Sequence, residues 1–127
     1  MRAFNSVLLI DDDPVSNFMV LNFFKKTNLT RSIKCFKNGK EGLDYLKQNQ
    51  GNLPDLILLD VNMPVMDGYE FLDEFEKLRI NKERINIVLF TTDERELENT
   101  NKYGIDKIII KPLTMEKFSL AIENTNW

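Results

Sequence analysis

Four short apolar runs, Val7–Ile10, Leu56–Leu59, Ile87–Phe90 and Ile108–Ile110, restrict what this chain can fold into more than any other feature. Each stops at a polar residue with chemistry to offer: Asp11, Asp60, Thr91 and Lys111 in turn. Unbroken apolar runs of this length, bounded by turn formers, read as strands buried on both faces. Pro54-Asp55 precedes the second run and Asn62, Pro64 and Gly68 follow it, so Asp60 is expected at the carboxyl end of a central strand. A weaker run, Ile33–Phe36, is interrupted by Lys34 and suits an edge strand.

Helical stretches separate these runs. Asp13-Pro14 opens the first, with the acid as N-cap and proline in the first turn. Its apolar residues, Val15 through Phe24, cover most of the circumference and predict a well-buried helix. The second, Gly39–Gln50, places Gly42, Leu43 and Leu46 on one side. The third starts at Asp67 with Glu70 in capping-box position, and Phe71, Leu72, Phe75 and Leu78 form its inward stripe. A fourth is expected from Asp93, boxed by Glu96, with Leu97 and Tyr103 alone for burial, and so should be the least firmly held. The fifth, Thr114–Asn124, packs through Met115, Phe118, Ala121 and Ile122.

Strand and helix thus alternate five times, which implies an α/β fold of three layers: a doubly wound parallel sheet of five strands with helices on both faces. Right-handed crossovers leave few topologies. The order 2-1-3-4-5 puts the first and third strands together at a switch point, where Asp11, Asp12 and Asp60 share a crevice and Thr91 and Lys111 arrive from the last two strands.

At 127 residues the chain is expected to be a single domain spanning 1–127. Acidic and basic residues are mixed, the net charge is −3, and no Lys/Arg cluster with interleaved aromatics suggests nucleic-acid binding. Val7–Ile10 is too short for a membrane span or signal segment. The single cysteine, Cys35, cannot close an internal disulfide, which fits a reducing cytoplasm. There is no histidine, which removes Ser-His-Asp and Cys-His catalysis and the commonest zinc ligand.

Three carboxylates in one crevice repel each other. Two unit charges at ~4 Å cost about 4 kcal/mol in an effective dielectric of ~20, so a cation or a proton must offset them. Hard oxygen ligands in this number suit Mg²⁺ (or Mn²⁺), with Asp12 and Asp60 touching it directly and Asp11 acting largely through water. In-line phosphoryl transfer asks for little more than an attacking oxygen and charge neutralisation. Asp60 supplies the first; Lys111, the metal and the Thr91 hydroxyl supply the second, and the product is an aspartyl phosphate. A plain acidic loop accounts for Asp13 as a helix cap but gives Asp11 and Asp12 no role. Asp93 already serves as a cap, which leaves the Thr91 hydroxyl free.

The chain resembles the receiver domain of two-component response regulators (the CheY-like, flavodoxin-like fold) from about Val7 to Ile122. The matching pieces are Leu9-Ile10-Asp11-Asp12-Asp13-Pro14, Leu59-Asp60-Val61-Asn62-Met63-Pro64-Val65-Met66-Asp67-Gly68, Phe90-Thr91-Thr92 and Ile110-Lys111-Pro112. The resemblance implies Asp60 as phosphoacceptor, Asp11 and Asp12 as the acidic pair for Mg²⁺, and the Asn62 backbone carbonyl as a further ligand. It implies Thr91 as switch hydroxyl and Lys111 as phosphate contact, with the Lys111–Pro112 bond cis. The donor it implies is a phosphohistidine on a histidine kinase or phosphotransfer protein. The family usually carries Tyr or Phe at the switch position three residues before the lysine. Here that residue is Ile108, and a branched aliphatic cannot copy an aromatic's large swing. Asn62 and Asp93 stand where the family tunes dephosphorylation, and polar groups there imply a short-lived phosphoryl state.

The expected protein is a stand-alone receiver and not an enzyme beyond self-phosphorylation and autodephosphorylation. Its output is a downstream partner bound at the fourth helix, last strand and last helix. Two other classes fit less well. An unphosphorylated binding scaffold would have no need of intact acids, Thr91 and Lys111. A flavodoxin-like electron carrier needs a phosphate loop where Asp11-Asp12-Asp13 would repel phosphate.

Overall fold

In the computed structural model, which describes residues 3–98, 105 and 107–123, the apolar runs are strands of one parallel sheet. The strands are β1 (Val7–Ile10), β2 (Ile33–Phe36), β3 (Leu56–Leu59), β4 (Asn86–Thr91) and β5 (Ile108–Ile110), in the order β2-β1-β3-β4-β5. β1 lies in register beside β3, Val7 against Leu56 and Ile10 against Leu59, so Asp11 and Asp60 leave the sheet side by side. β4 is longer than expected: Thr91 is its last residue, paired with Ile110, rather than the first residue beyond it.

Strand side chains alternate between two cores. On one face Val7, Leu9, Leu56, Leu58, Val88, Phe90 and Ile109 pack with α1 (Pro14–Thr27) and α4 (Met115–Ile122) through Val20, Phe24, Phe118, Ala121 and Ile122. On the other, Leu8, Ile10, Ile57, Leu59 and Leu89 pack with α2 (Gly39–Gln48) and α3 (Gly68–Lys77) through Leu43, Leu46, Phe71, Leu72 and Phe75. Helices on both faces bury β1 and β3 completely, as their unbroken apolar composition requires.

The helix starts follow local chemistry. Asp13 caps α1 by accepting from Val15 N–H, and Pro14 follows it. Asp67 and Glu70 form the reciprocal capping box of α3. α2 ends at Gln48, two residues before the expected end, and α4 ends at Ile122, with Asn124 outside the described residues.

Three expectations are corrected. α1 buries Ser16, Val20 and Phe24, but Val15 and Phe18 are about two-thirds exposed, because one sheet face can cover one helix stripe only. Met115 of α4 is likewise exposed. The fourth helix opens as a 3-10 turn, Glu94–Glu98, and its continuation to Tyr103 lies outside the described residues. The Asp93 carboxylate accepts from the backbone and guanidinium of Arg95, and the Asp93 carbonyl accepts from Glu96 N–H at 3.1 Å.

Candidate functional site

The carboxyl edge of the sheet gathers the residues that end the strands. Asp11 and Asp12 follow β1, Asp60 follows β3, Thr91 closes β4 and Lys111 follows β5. Carboxylate oxygens of Asp11, Asp12 and Asp60 lie within 4.8 Å of one another. Asp11 is fully buried, Asp60 nearly so, and Asp12 is exposed. Lys111 Nζ lies 2.6 Å from Asp11 Oδ2 and 3.7 Å from Asp60 Oδ2. The ammonium also sits 5.1 Å from the ring centroid of Phe90, an attractive position for a cation.

Three acids around one lysine leave negative charge in excess, and the site shows it. Burial, then the neighbouring Asp11 charge, pushes the Asp60 carboxyl up to about 7, although Lys111 and the Val61 N–H pull the other way. Asp60 Oδ1 accepts from Val61 N–H at 2.8 Å. A divalent cation fits this deficit: the donors are hard carboxylate oxygens, close enough to share one ion. Asp12, exposed, and Asp60 are the acids open to it. Asp11 already accepts from Asp13 N–H, the Ser16 hydroxyl and Lys111.

Thr91 is buried, and its hydroxyl oxygen is not free, since it accepts from Asp93 N–H at 3.2 Å. Its own proton remains to donate. Asp93 stands at the surface, where Arg95 lowers its carboxyl below the usual range. Asn62 is exposed on the loop after β3. Ile108 is half-buried and packs against the core on the α2–α3 face, so it is an anchored side chain. The Lys111–Pro112 bond is cis.

Two local devices fix the loop that follows β3. Gly68 N–H donates to Val61 O at 2.8 Å, and a Cβ on Gly68 would stand 2.5 Å from Asp60 O, so the start of α3 presses directly on the end of β3. Val65, at φ 68, forms a tight turn in which Met66 N–H reaches Pro64 O. Sequence reasoning passed over Ser16, Arg95 and this turn. Ser16 alone left a signal, a hydroxyl in the first turn of the helix that follows the acids.

Comparison with known proteins points to one family. The sequence profile of the response regulator receiver domain matches residues 7–123. The probable C4-dicarboxylate response regulator DctR of Bacillus subtilis is 32% identical over 117 residues, covering 92% of this chain and 50% of that protein. The probable methanogenesis regulatory protein FilR2 of Methanothrix harundinacea is 26% identical over 121 residues, 92% of this chain and 78% of that one. The chain spans about half the length of its DctR relatives. Among solved structures, a two component response regulator from Cytophaga hutchinsonii superposes with a TM-score of 0.83 at 28% identity, covering 96% of both chains. No described helix is long and apolar enough to cross a membrane.

Proposed function

Because this chain belongs to the family of response regulator receiver domains of two-component signal transduction, we propose that Asp60 is the residue that accepts the phosphoryl group. The observation that carries the proposal is the convergence of Asp11, Asp12, Asp60, Thr91 and Lys111, from four separate strands, on one edge of the sheet.

The donor is a phosphohistidine on a histidine kinase or phosphotransfer protein. Asp60 attacks phosphorus through a carboxylate oxygen as the P–N bond breaks, and the departing electron pair stays on the donor's imidazole nitrogen. Lys111 shifts from Asp11 toward the phosphoryl oxygens, and the Thr91 hydroxyl donates to one of them. Asp12, Asp60 and the Asn62 carbonyl, with Asp11 behind them, would hold Mg²⁺ (or Mn²⁺), which would supply neutralising charge. Water later cleaves the acyl phosphate, and Asn62 and Asp93 tune that step. The chain needs no further enzymatic activity.

A protein donor must cover the rim of the crevice. α1 starts at that rim and exposes Val15, Phe18 and Met19 there, apolar area suited to a partner. Output runs through the turn at 94–98, β5 and α4, where Leu97, Met115 and Leu120 are exposed. Since Ile108 is a half-buried aliphatic packed against the core, Thr91 and Lys111 carry the coupling without a swinging aromatic.

Treatment with a small phosphodonor, borohydride reduction of the acyl phosphate and peptide mass mapping test the assignment. The reduced residue is expected at position 60; a modification elsewhere contradicts it.

A further inference from the structure

Asp11 is the most enclosed of the three acids, with 0% of its surface exposed. Its Oδ1 accepts from Asp13 N–H at 3.0 Å. Its Oδ2 carries two donors, the Lys111 ammonium at 2.6 Å and the Ser16 hydroxyl at 3.0 Å. Ser16 is 8% exposed and lies in the first turn of α1, where serine commonly bonds local backbone. Here its hydroxyl reaches back across the helix start to a carboxylate. Beside it, the Asn17 side chain donates to the Asp11 carbonyl at 3.0 Å, so the first turn of α1 is fastened twice to the end of β1.

Lys111 cannot serve Asp11 and a phosphoryl group equally. When it moves toward the phosphoryl oxygens, it leaves behind a carboxylate sealed from water, and a buried charge that loses its donor is costly. Among the described residues, Ser16 is the neutral side chain that donates to that same oxygen and stays in place. We propose that Ser16 is a positioning residue. Its hydroxyl keeps Asp11 Oδ2 satisfied while Lys111 transfers to the phosphoryl group, and so sets how readily Asp60 is phosphorylated. No covalent bond or proton changes hands at Ser16; it keeps its hydrogen and remains the donor as Lys111 leaves. The inference rests on the reading of Asp60 as phosphoacceptor.

The test compares the parent with Ser16→Ala, Ser16→Thr and Ser16→Cys, with Asp60→Asn as the site control. Folding is checked by circular dichroism. Asp60 phosphorylation by acetyl phosphate in saturating Mg²⁺ is followed by intact mass, and affinity for beryllofluoride with Mg²⁺ is measured without any transfer step. Ser16→Ala is expected to be folded, at least tenfold slower and at least tenfold weaker for beryllofluoride. Ser16→Thr, which restores a hydroxyl, is expected within about threefold of the parent. Ser16→Cys keeps the bulk with a weak donor and falls between, and it replaces the alanine variant if that one does not fold. A folded alanine or cysteine variant matching the parent in both readouts overturns the inference, as does a threonine variant as slow as alanine. Labelling of the parent that is undiminished in Asp60→Asn overturns the phosphoacceptor reading itself, and the inference with it.

Discussion

Lys111 Nζ stands 2.6 Å from Asp11 Oδ2 and 3.7 Å from Asp60 Oδ2, so the lysine that would meet a phosphoryl group rests on the neighbouring carboxylate. Its side chain is 10% exposed and that of Asp11 is sealed. The pair balances one of three acidic charges, and the remainder governs how the site responds to protons, metal and mutation.

Removing the ammonium should therefore be costly. Lys111→Met leaves Asp11 buried without its principal cation and is expected to destabilise the metal-free protein by about 3 kcal/mol. Urea denaturation with and without Mg²⁺ checks this. The loss should shrink when Mg²⁺ is present, because a second cation then compensates the same acids.

Acid should have the opposite effect on the parent. Asp60 rises from 3.8 to about 7 on folding, so between those values the folded protein holds a proton that the unfolded chain has released. This contribution to stability is full below about pH 4 and is lost as pH rises through about 7. In metal-free buffer, Asp60→Asn is expected to flatten that part of the profile and to be more stable than the parent at pH 8 by at least about 1 kcal/mol. Denaturation midpoints across pH 4–8 measure it.

Gly68 offers a steric test. A methyl group there meets backbone, Asp60 O at 2.5 Å and Val61 Cα at 2.9 Å, with no flexible side chain to yield. Gly68→Ala is expected to cost about 2–3 kcal/mol and to displace the end of β3, weakening Mg²⁺ binding as well. Gly51, with nothing within 4 Å of its added Cβ, is the control, and Gly51→Ala should be near neutral.

Val65 is three-quarters exposed and held at φ 68, a conformation unfavourable for a β-branched residue. Little packing is lost on truncation. Val65→Gly should stabilise the protein by about 1 kcal/mol, the relief of strain outweighing the entropy glycine adds to the unfolded chain. Thermal unfolding reads the sign directly.

The strands and their order were legible because β1, β3, β4 and β5 are short, apolar and stopped by polar residues, a pattern that burial on both faces sets for β1 and β3 and that the half-buried edge strand β5 shares. Asp13-Pro14 and the Asp67–Glu70 pair declared helix starts through capping chemistry that acts within four residues. α1 misled because its apolar residues encircle the helix, whereas the sheet covers only the stripe of Ser16, Val20 and Phe24. The Ser16–Asp11 bond and the Arg95 clamp on Asp93 depend on side-chain direction, which composition and spacing do not encode. The left-handed turn at Val65 was equally hidden, since that residue type argues against it.

The central claim is that crowded carboxylates at the edge of the sheet make Asp60 a phosphate acceptor. Incubation of the parent and Asp60→Asn with a small phosphodonor and Mg²⁺, followed by intact mass, addresses it most directly. The parent is expected to gain one phosphoryl group, dependent on Mg²⁺, and the variant none. Equal gain by both, or none by the parent at any Mg²⁺ concentration, would contradict the account.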